Sequence, residues 1–236
     1  MSIRAILFDL DGTLLPMDND EFTEVYLRLL AKTAMQWDYE PKQLIDGLWK
    51  GTAAMIKNDG SRSNSEAFWT TFDAYLHRQA SADMKKFDTF YVNEFHGAKA
   101  VTGENPLAAE AVALARKKAQ YVVLATNPLF PPCAVETRLG WIDLSYSGFD
   151  LVTNYENSRY CKPNPAYYME ILDKIGVKAE DCLMIGNDVG EDIVPARQLG
   201  MSTYLVTDCL INRREEKTDG PGGSFLELVY YLNRIK

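Results

Sequence analysis

The sequence predicts an α/β protein built on a doubly wound parallel sheet, with an α-helical lobe inserted after the first strand. Three observations carry that prediction. Four short apolar runs, "AILF" from Ala5, "YVVLAT" from Tyr121, "CLMIG" from Cys182 and "TYLVT" from Thr203, are each bounded by polar or turn residues. None alternates apolar with polar, so they read as central parallel strands covered on both faces. Helical patterns precede the last three runs, and strand–helix alternation of this kind builds βαβ units. Between the first run and the second lies a long helical stretch with no convincing strand.

Taken in order, "AILF" ends abruptly on Asp9 and breaks at Gly12. From about Met17 to about Lys99 come the amphipathic patterns "DEFTEVYLRLLAKTAMQW" and "SEAFWTTFDAYLHRQA", with the polar loop "KNDGSRSNS" between them. This stretch, residues 17–99, is the expected lobe; residues 1–16 and 100–236 form the α/β core, with the sheet resuming near Pro106. "NPLAAEAVALARKKA" is the helix before the second strand, and "FDLVTNY" from Phe149 is a weaker strand after it. "PAYYMEILDKIG" and "EDIVPARQLG" supply the next two helices, with Gly176 and Gly200 where C-caps belong. "GPGGS" reads as a turn before a closing helix.

Bulk properties narrow the function. A chain of 236 residues can bury one sizeable core or a core with a smaller lobe. A net charge of -8 argues against a nucleic-acid or anionic-membrane surface, so an anionic ligand needs a local pocket. No segment approaches the ~20 apolar residues of a membrane span. The four cysteines, Cys133, Cys161, Cys182 and Cys209, form no C-x-x-C pair. With no signal peptide in "MSIRAILF", they read as reduced thiols in a cytoplasmic protein, with neither a zinc site nor a disulfide framework. Nothing in the sequence sets an oligomeric state.

In an open α/β sheet, ligands bind outside the carboxyl ends of the strands. The first strand delivers Asp9 and Asp11 there, the second Thr126 and Asn127, and the "CLMIG" strand Asn187 and Asp188, with Asp192 following. Lys162, in "CKPNP", precedes the intervening helix. Singly these residues have plainer uses. Thr126 and Asn127 suit helix N-caps, Lys162 suits a solvated loop, and Asp188 and Asp192 complement a helix N-terminus. Together, in this order, they place carboxylates around a hard cation and donors around an anion.

These motifs resemble those of the haloacid dehalogenase-like hydrolase superfamily, whose members are mostly phosphatases on a Rossmann-like fold. The first motif matches "DLDGT" at Asp9–Thr13, the second the strand ending in Thr126, the third Lys162 in "CKPNPAYY", and the fourth "MIGNDVGEDIVPARQLG". A helical lobe between the first and second motifs resembles the C1-type cap of the phosphoglycolate phosphatase and β-phosphoglucomutase subfamily. The resemblance implies a Mg²⁺-dependent phosphatase for a small phosphorylated metabolite, working through an aspartyl-phosphate. Asp9 is then the nucleophile, and Asp11 protonates the leaving alkoxide and later takes a proton from water. Thr126 and Lys162 hold phosphoryl oxygens, with Asn127 beside them at the substrate. Asp9, the carbonyl of Asp11 and an acid of the fourth motif hold Mg²⁺. Family members often read Gly-Asp in that motif where this chain reads Gly186-Asn187-Asp188. Asp188 is the nearest carboxylate and the expected ligand; Asp192 is left to orient Lys162 or a metal-bound water, or to ligate directly.

Other readings share parts of this machinery. A phosphosugar mutase shares the first half-reaction. Haloacid dehalogenation uses Asp9 but needs no acid such as Asp11. Phosphonate cleavage in this superfamily uses a cap lysine; Lys57 is available, but the sequence gives no reason to assign it that role. A non-catalytic binding protein on the same fold need not keep Asp9, Asp11, Thr126 and Lys162 together. His77, His96, Trp37, Trp49 and Trp69 fall in the lobe and read as packing or surface residues. "RREEK" reads as a solvated face. Lys57, Asn58 and Arg62 are polar lobe residues available to the substrate's far end.

Overall fold

The computed structural model describes residues 3–235. Its centre is β1 (Ala5–Phe8), all four residues of which are buried. Six parallel strands form one sheet in the order β3-β2-β1-β4-β5-β6. They are β1, β2 (Tyr121–Leu124), β3 (Leu151–Val152), β4 (Cys182–Gly186), β5 (Ser202–Val206) and β6 (Gly222–Gly223). β1 pairs with β2 on one side and β4 on the other, Phe8 lying level with Leu124 and Ile185. The order of connection therefore reverses at β1, and its carboxyl end opens the crevice in which doubly wound sheets bind ligands. All four expected central strands are present. β3 is shorter than "FDLVTNY" suggested. β6 corrects the reading of "GPGGS" as only a turn: Gly222 and Gly223 pair with Leu205 and Val206.

Helices cover both faces. Alternation along β1 sends Ile6 and Phe8 to one side and Ala5 and Leu7 to the other. The first pair joins a core with α5 (Ala108–Lys118), α6 (Pro132–Gly140) and α9 (Phe225–Arg234). The second pair packs on α7 (Pro165–Ile175) and α8 (Val194–Gln198). Gly176 closes α7 at φ +65°, and Gly200, at φ +89°, follows α8; both are left-handed positions that glycine fills cheaply. The expected helix at "EDIVPARQLG" begins as a wider π-type turn, Val189–Ile193, before α8. The four cysteines are free, and no helix of the described residues is long and apolar enough to cross a membrane.

Four helices lie between β1 and α5: α1 (Asn19–Ala34), α2 (Pro41–Ile56), α3 (Asn64–Leu76) and α4 (Met84–Val92). Their starts are written locally. Asp18 accepts from two backbone N–H groups at the start of α1, Glu40 does so for α2, and Ser63 with Glu66 forms a capping box for α3. α2 lies hard against α3 through Gly51, where a Cβ would fall 2.5 Å from the ring of Phe68. The chain enters and leaves this lobe at one point. Met17 bridges Thr102 antiparallel, and the Gly103 N–H donates to the Pro16 carbonyl at 2.7 Å.

Candidate active site

The crevice at the carboxyl end of β1 holds a cavity of about 210 Å³ lined by Asp9, Asp11, Thr126, Asn127, Asp188 and Glu191, among others. The geometry begins with the turn after β1. Gly12 takes φ +88°, and a Cβ there would fall 2.3 Å from Asn187 Nδ2, so this turn has room only for glycine. Asn187 in turn accepts from the Thr13 hydroxyl at 2.9 Å and donates to the Cys209 carbonyl at 2.6 Å. At the position where relatives of the resembled family often carry an acid, this chain therefore has a buried amide that ties three loops together.

Lys162 is 2 % exposed. Its ammonium donates to Asp9 Oδ1 at 2.8 Å and to Asp192 Oδ1 at 2.6 Å. Burial pulls its pKa down, but Asp192 and Asp9 outweigh that and hold it well above the ordinary value, so the group stays charged. Asp192 is equally enclosed. Its other oxygen accepts the Asp188 N–H at 3.0 Å, and burial pushes its carboxyl up against the pull of Lys162. Of the roles open to Asp192 from sequence, the geometry matches the orienting of Lys162.

Asp11 faces the cavity from the same turn and pairs with Arg138 of α6, whose guanidinium is fully buried and lies 4.4 Å over the ring of Phe130. Burial raises the Asp11 pKa; Arg138 draws it back and Asp9 adds to the rise, with the net effect upward. Its Oδ1 has no hydrogen-bond partner among the described residues. Asp188, which lines the cavity, spends Oδ1 on the N–H groups of Gly190 and Glu191, and its Oδ2 has no hydrogen-bond partner among the described residues. Asn127 is already engaged: it donates to Glu191 and accepts the Lys162 N–H. The Thr126 carbonyl accepts from Thr153 and Tyr167, while its hydroxyl has no partner among the described residues.

The structure thus brings Asp9, Asp11, Thr126, Asn127, Lys162 and Asp188 to one crevice. Two residues there were not singled out from sequence. Glu191 sits in the fourth motif, so its neighbours could have flagged it; burial pushes its carboxyl up. Arg138 had no signal, because an arginine on an amphipathic helix ordinarily faces solvent. His77 ends α3, and His96 accepts from the Trp141 indole at 3.0 Å. Asn58 is spent on Arg62 and Asn64 within its own loop; none of Lys57, Asn58 and Arg62 lines the cavity.

For a divalent cation the crevice offers Asp9 Oδ2, Asp188 Oδ2 and the Asp11 carbonyl, none of which accepts a hydrogen bond among the described residues. An all-oxygen set with room for water suits Mg²⁺. Among the described residues no three His, Cys, Asp or Glu side chains converge as a closed metal cage, so such an ion would rest on two carboxylates, a carbonyl and other oxygens.

Comparison with known proteins identifies the family. The chain is 28% identical over 246 residues to a glyceraldehyde 3-phosphate phosphatase of Methanocaldococcus jannaschii, with 99% of each chain covered. The crystal structure of the HAD-hydrolase YfnB from Bacillus subtilis, bound to magnesium, matches with a TM-score of 0.56 at 18% identity, covering 99% of this chain and 100% of that one. A 2-haloacid dehalogenase from Pseudomonas syringae matches with a TM-score of 0.57 at 20% identity, over 97% and 98%. At such identities the solved structures speak for the fold. The model of the haloacid dehalogenase-like hydrolases matches residues 3–200, which takes in β1, Lys162 and the whole Gly186–Asp192 turn. The chain belongs to the haloacid dehalogenase-like hydrolases.

Proposed function

We propose that this hydrolase is a Mg²⁺-dependent phosphatase that cleaves a small phosphorylated metabolite through an aspartyl-phosphate. The observation that carries the reading is the pairing of two unlike carboxyl groups on one turn. Asp9 is fixed by a buried ammonium, while Asp11 is pushed toward its protonated form with one oxygen left free. Environments that separate two carboxyl groups in this way assign a nucleophile and an acid.

In the first step one oxygen of the Asp9 carboxylate bonds to phosphorus as the ester oxygen leaves and takes the proton of Asp11, the other oxygen of Asp9 staying free for the cation. In the second, water attacks the phosphorus of the aspartyl-phosphate, gives its proton to Asp11, and releases phosphate and the Asp9 carboxylate. In this reading Lys162 and the Thr126 hydroxyl hold phosphoryl oxygens through both steps. Asp9, the Asp11 carbonyl and Asp188 would hold Mg²⁺, which when bound offsets the charge of two anions brought together. The lobe of residues 17–99 acts as the cap that keeps bulk water out. Carbon–halogen cleavage has no use for Asp11 in this state. The glyceraldehyde 3-phosphate phosphatase of M. jannaschii supports the choice of phosphate ester.

The test is phosphate release from an aryl phosphate with and without Mg²⁺, for the wild type and Asp9→Asn. Turnover abolished by chelation and by the substitution is the expected result. Turnover that survives Asp9→Asn refutes the aspartyl-phosphate.

A further inference from the structure

Beside the crevice a second cavity, of about 130 Å³, lies under the helical lobe. The two share Thr23, Leu129 and Phe130 as wall residues, so they lie side by side. Leu129 and Phe130 directly follow the Thr126–Asn127 turn, which sets this cavity beside the group that receives the phosphate. Its walls are aromatic: Tyr26, Trp49, Phe68, Trp69, Tyr91 and Tyr155 contribute. Four of them turn their polar atoms on each other. The Tyr26 and Tyr91 hydroxyls bond at 2.9 Å, and the Trp69 indole donates to the Tyr155 hydroxyl at 3.3 Å. Thr23 spends its hydroxyl on the Asn19 carbonyl at 2.7 Å. Burial pushes the Tyr26 phenol up to about 12 and Tyr91 well above its ordinary value, so these walls stay neutral.

The one ionisable carboxylate on the lining is Asp88, and no lysine, arginine or histidine joins it. An anionic group entering here meets a like charge and no counter-charge. A polyol would find few partners, since Asp88, the Thr52 hydroxyl and the Trp49 indole are the only lining side-chain groups not already turned on one another or on the backbone. A ring suits the space: an apolar cavity of ~150 Å³ takes up benzene. Trp49, half exposed on α2, leaves the chamber open to solvent for entry.

We propose that the organic part of the substrate is a ring-bearing, anion-free apolar group seated in this aromatic chamber, making the preferred substrate an aryl or arylalkyl phosphate monoester. This deepens the phosphatase reading and rests on it. It also separates this chain from phosphatases of small polar phosphates such as glyceraldehyde 3-phosphate.

The experiment compares kcat/KM with Mg²⁺ for p-nitrophenyl, 2-phenylethyl, glycerol, carboxylate-bearing glycerate and methyl phosphates. 2-Phenylethyl phosphate is expected to exceed glycerol phosphate at least tenfold, with the glycerate ester lower still. Thr52→Phe, which fills the chamber from α2, lowers the ratio of 2-phenylethyl to methyl phosphate at least fivefold. Asp88→Asn narrows the gap between the glycerate and 2-phenylethyl esters without new bulk. A polar or anionic ester that equals the ring ester, or ratios that neither variant moves, overturns this inference and leaves the phosphatase intact. No turnover of any ester, p-nitrophenyl phosphate included, overturns the phosphatase reading and this inference with it.

Discussion

Replacing Lys162 by methionine exposes the electrostatic balance on which the crevice is built. Each of Asp9 Oδ1 and Asp192 Oδ1 sits within 2.8 Å of the same nitrogen, so the two oxygens are at most about 5.5 Å apart. Without the ammonium, two unit charges at that separation would repel by about 3 kcal/mol at an effective permittivity near 20. The alternative, a proton taken up by Asp192, whose carboxyl burial already pushes up, costs a similar amount at neutral pH. The site cannot relax this cheaply, because the three side chains are 1%, 9% and 2% exposed. Deleting one partner of a buried ion pair costs about 3–5 kcal/mol, and the same range is expected for Lys162→Met in urea unfolding at neutral pH. With a slope of about 2–3 kcal/mol/M, the midpoint falls by more than ~1 M. The double variant Lys162→Met, Asp192→Asn removes the repulsion and recovers about 2–3 kcal/mol. A single-variant loss below about 1 kcal/mol, or a double variant no more stable than the single one, refutes the reasoning; both thresholds stand clear of the typical ~0.5 kcal/mol effect of a surface change.

Arg138→Met strands Asp11 in the crevice and is expected to destabilise by about 3 kcal/mol or more. Arg138→Lys keeps the charge but loses the stacked guanidinium over Phe130, so thermal unfolding should rank wild type above Lys above Met. Gly51→Ala puts a Cβ 2.5 Å from the Phe68 ring and should cost about 1–3 kcal/mol, seen by calorimetry as a Tm lower by several degrees; an unchanged Tm would mean α2 and α3 pack more loosely. Glu66 and Glu227 are held below the ordinary glutamate value of 4.5 by backbone N–H groups in their capping boxes. A depressed carboxylate stabilises above its unfolded pKa and loses that contribution as pH falls through the folded one. Glu66→Gln with Glu227→Gln should therefore lower the urea midpoint near neutrality and make the loss of stability below pH 4.5 shallower; parallel acid limbs in both proteins would refute this.

Much of the fold was legible because its signals are local. β1, β2, β4 and β5 are short runs of buried apolar residues, and no other arrangement of covered strands suits them. The same holds for the acids at the end of β1. What was not legible depends on the third dimension. β6 is two glycines with no side chains to carry a pattern; it pairs because Pro221 and Gly222 are delivered to the free edge of β5. Arg138 looks like any helix-surface arginine until α6 docks and turns it toward Asp11. The aromatic residues of the lobe read as ordinary core from spacing alone. Only their packing shows that they stop short of filling the space and that Tyr26, Tyr91 and Trp69 turn their polar atoms on aromatic neighbours. Asn187 and Asp192 stood as open alternatives because sequence order cannot say which of three neighbouring side chains turns toward Lys162.

The point at which the lobe joins the sheet also bears on how the chain reaches its native state. Ala5 must find Tyr121 across more than a hundred intervening residues, and non-local pairing of that kind slows folding. The contact between Pro16–Met17 and Thr102–Gly103 changes the problem. Helices α1 to α4 draw on local contacts and can consolidate early. Once they do, the two ends of the excursion are brought together, and the loop left to close shrinks to the short segments flanking β1 and β2. The closure entropy that remains is that of a short connection. In kinetic terms the insertion acts less as an obstacle between two neighbouring strands than as the clasp that delivers one to the other.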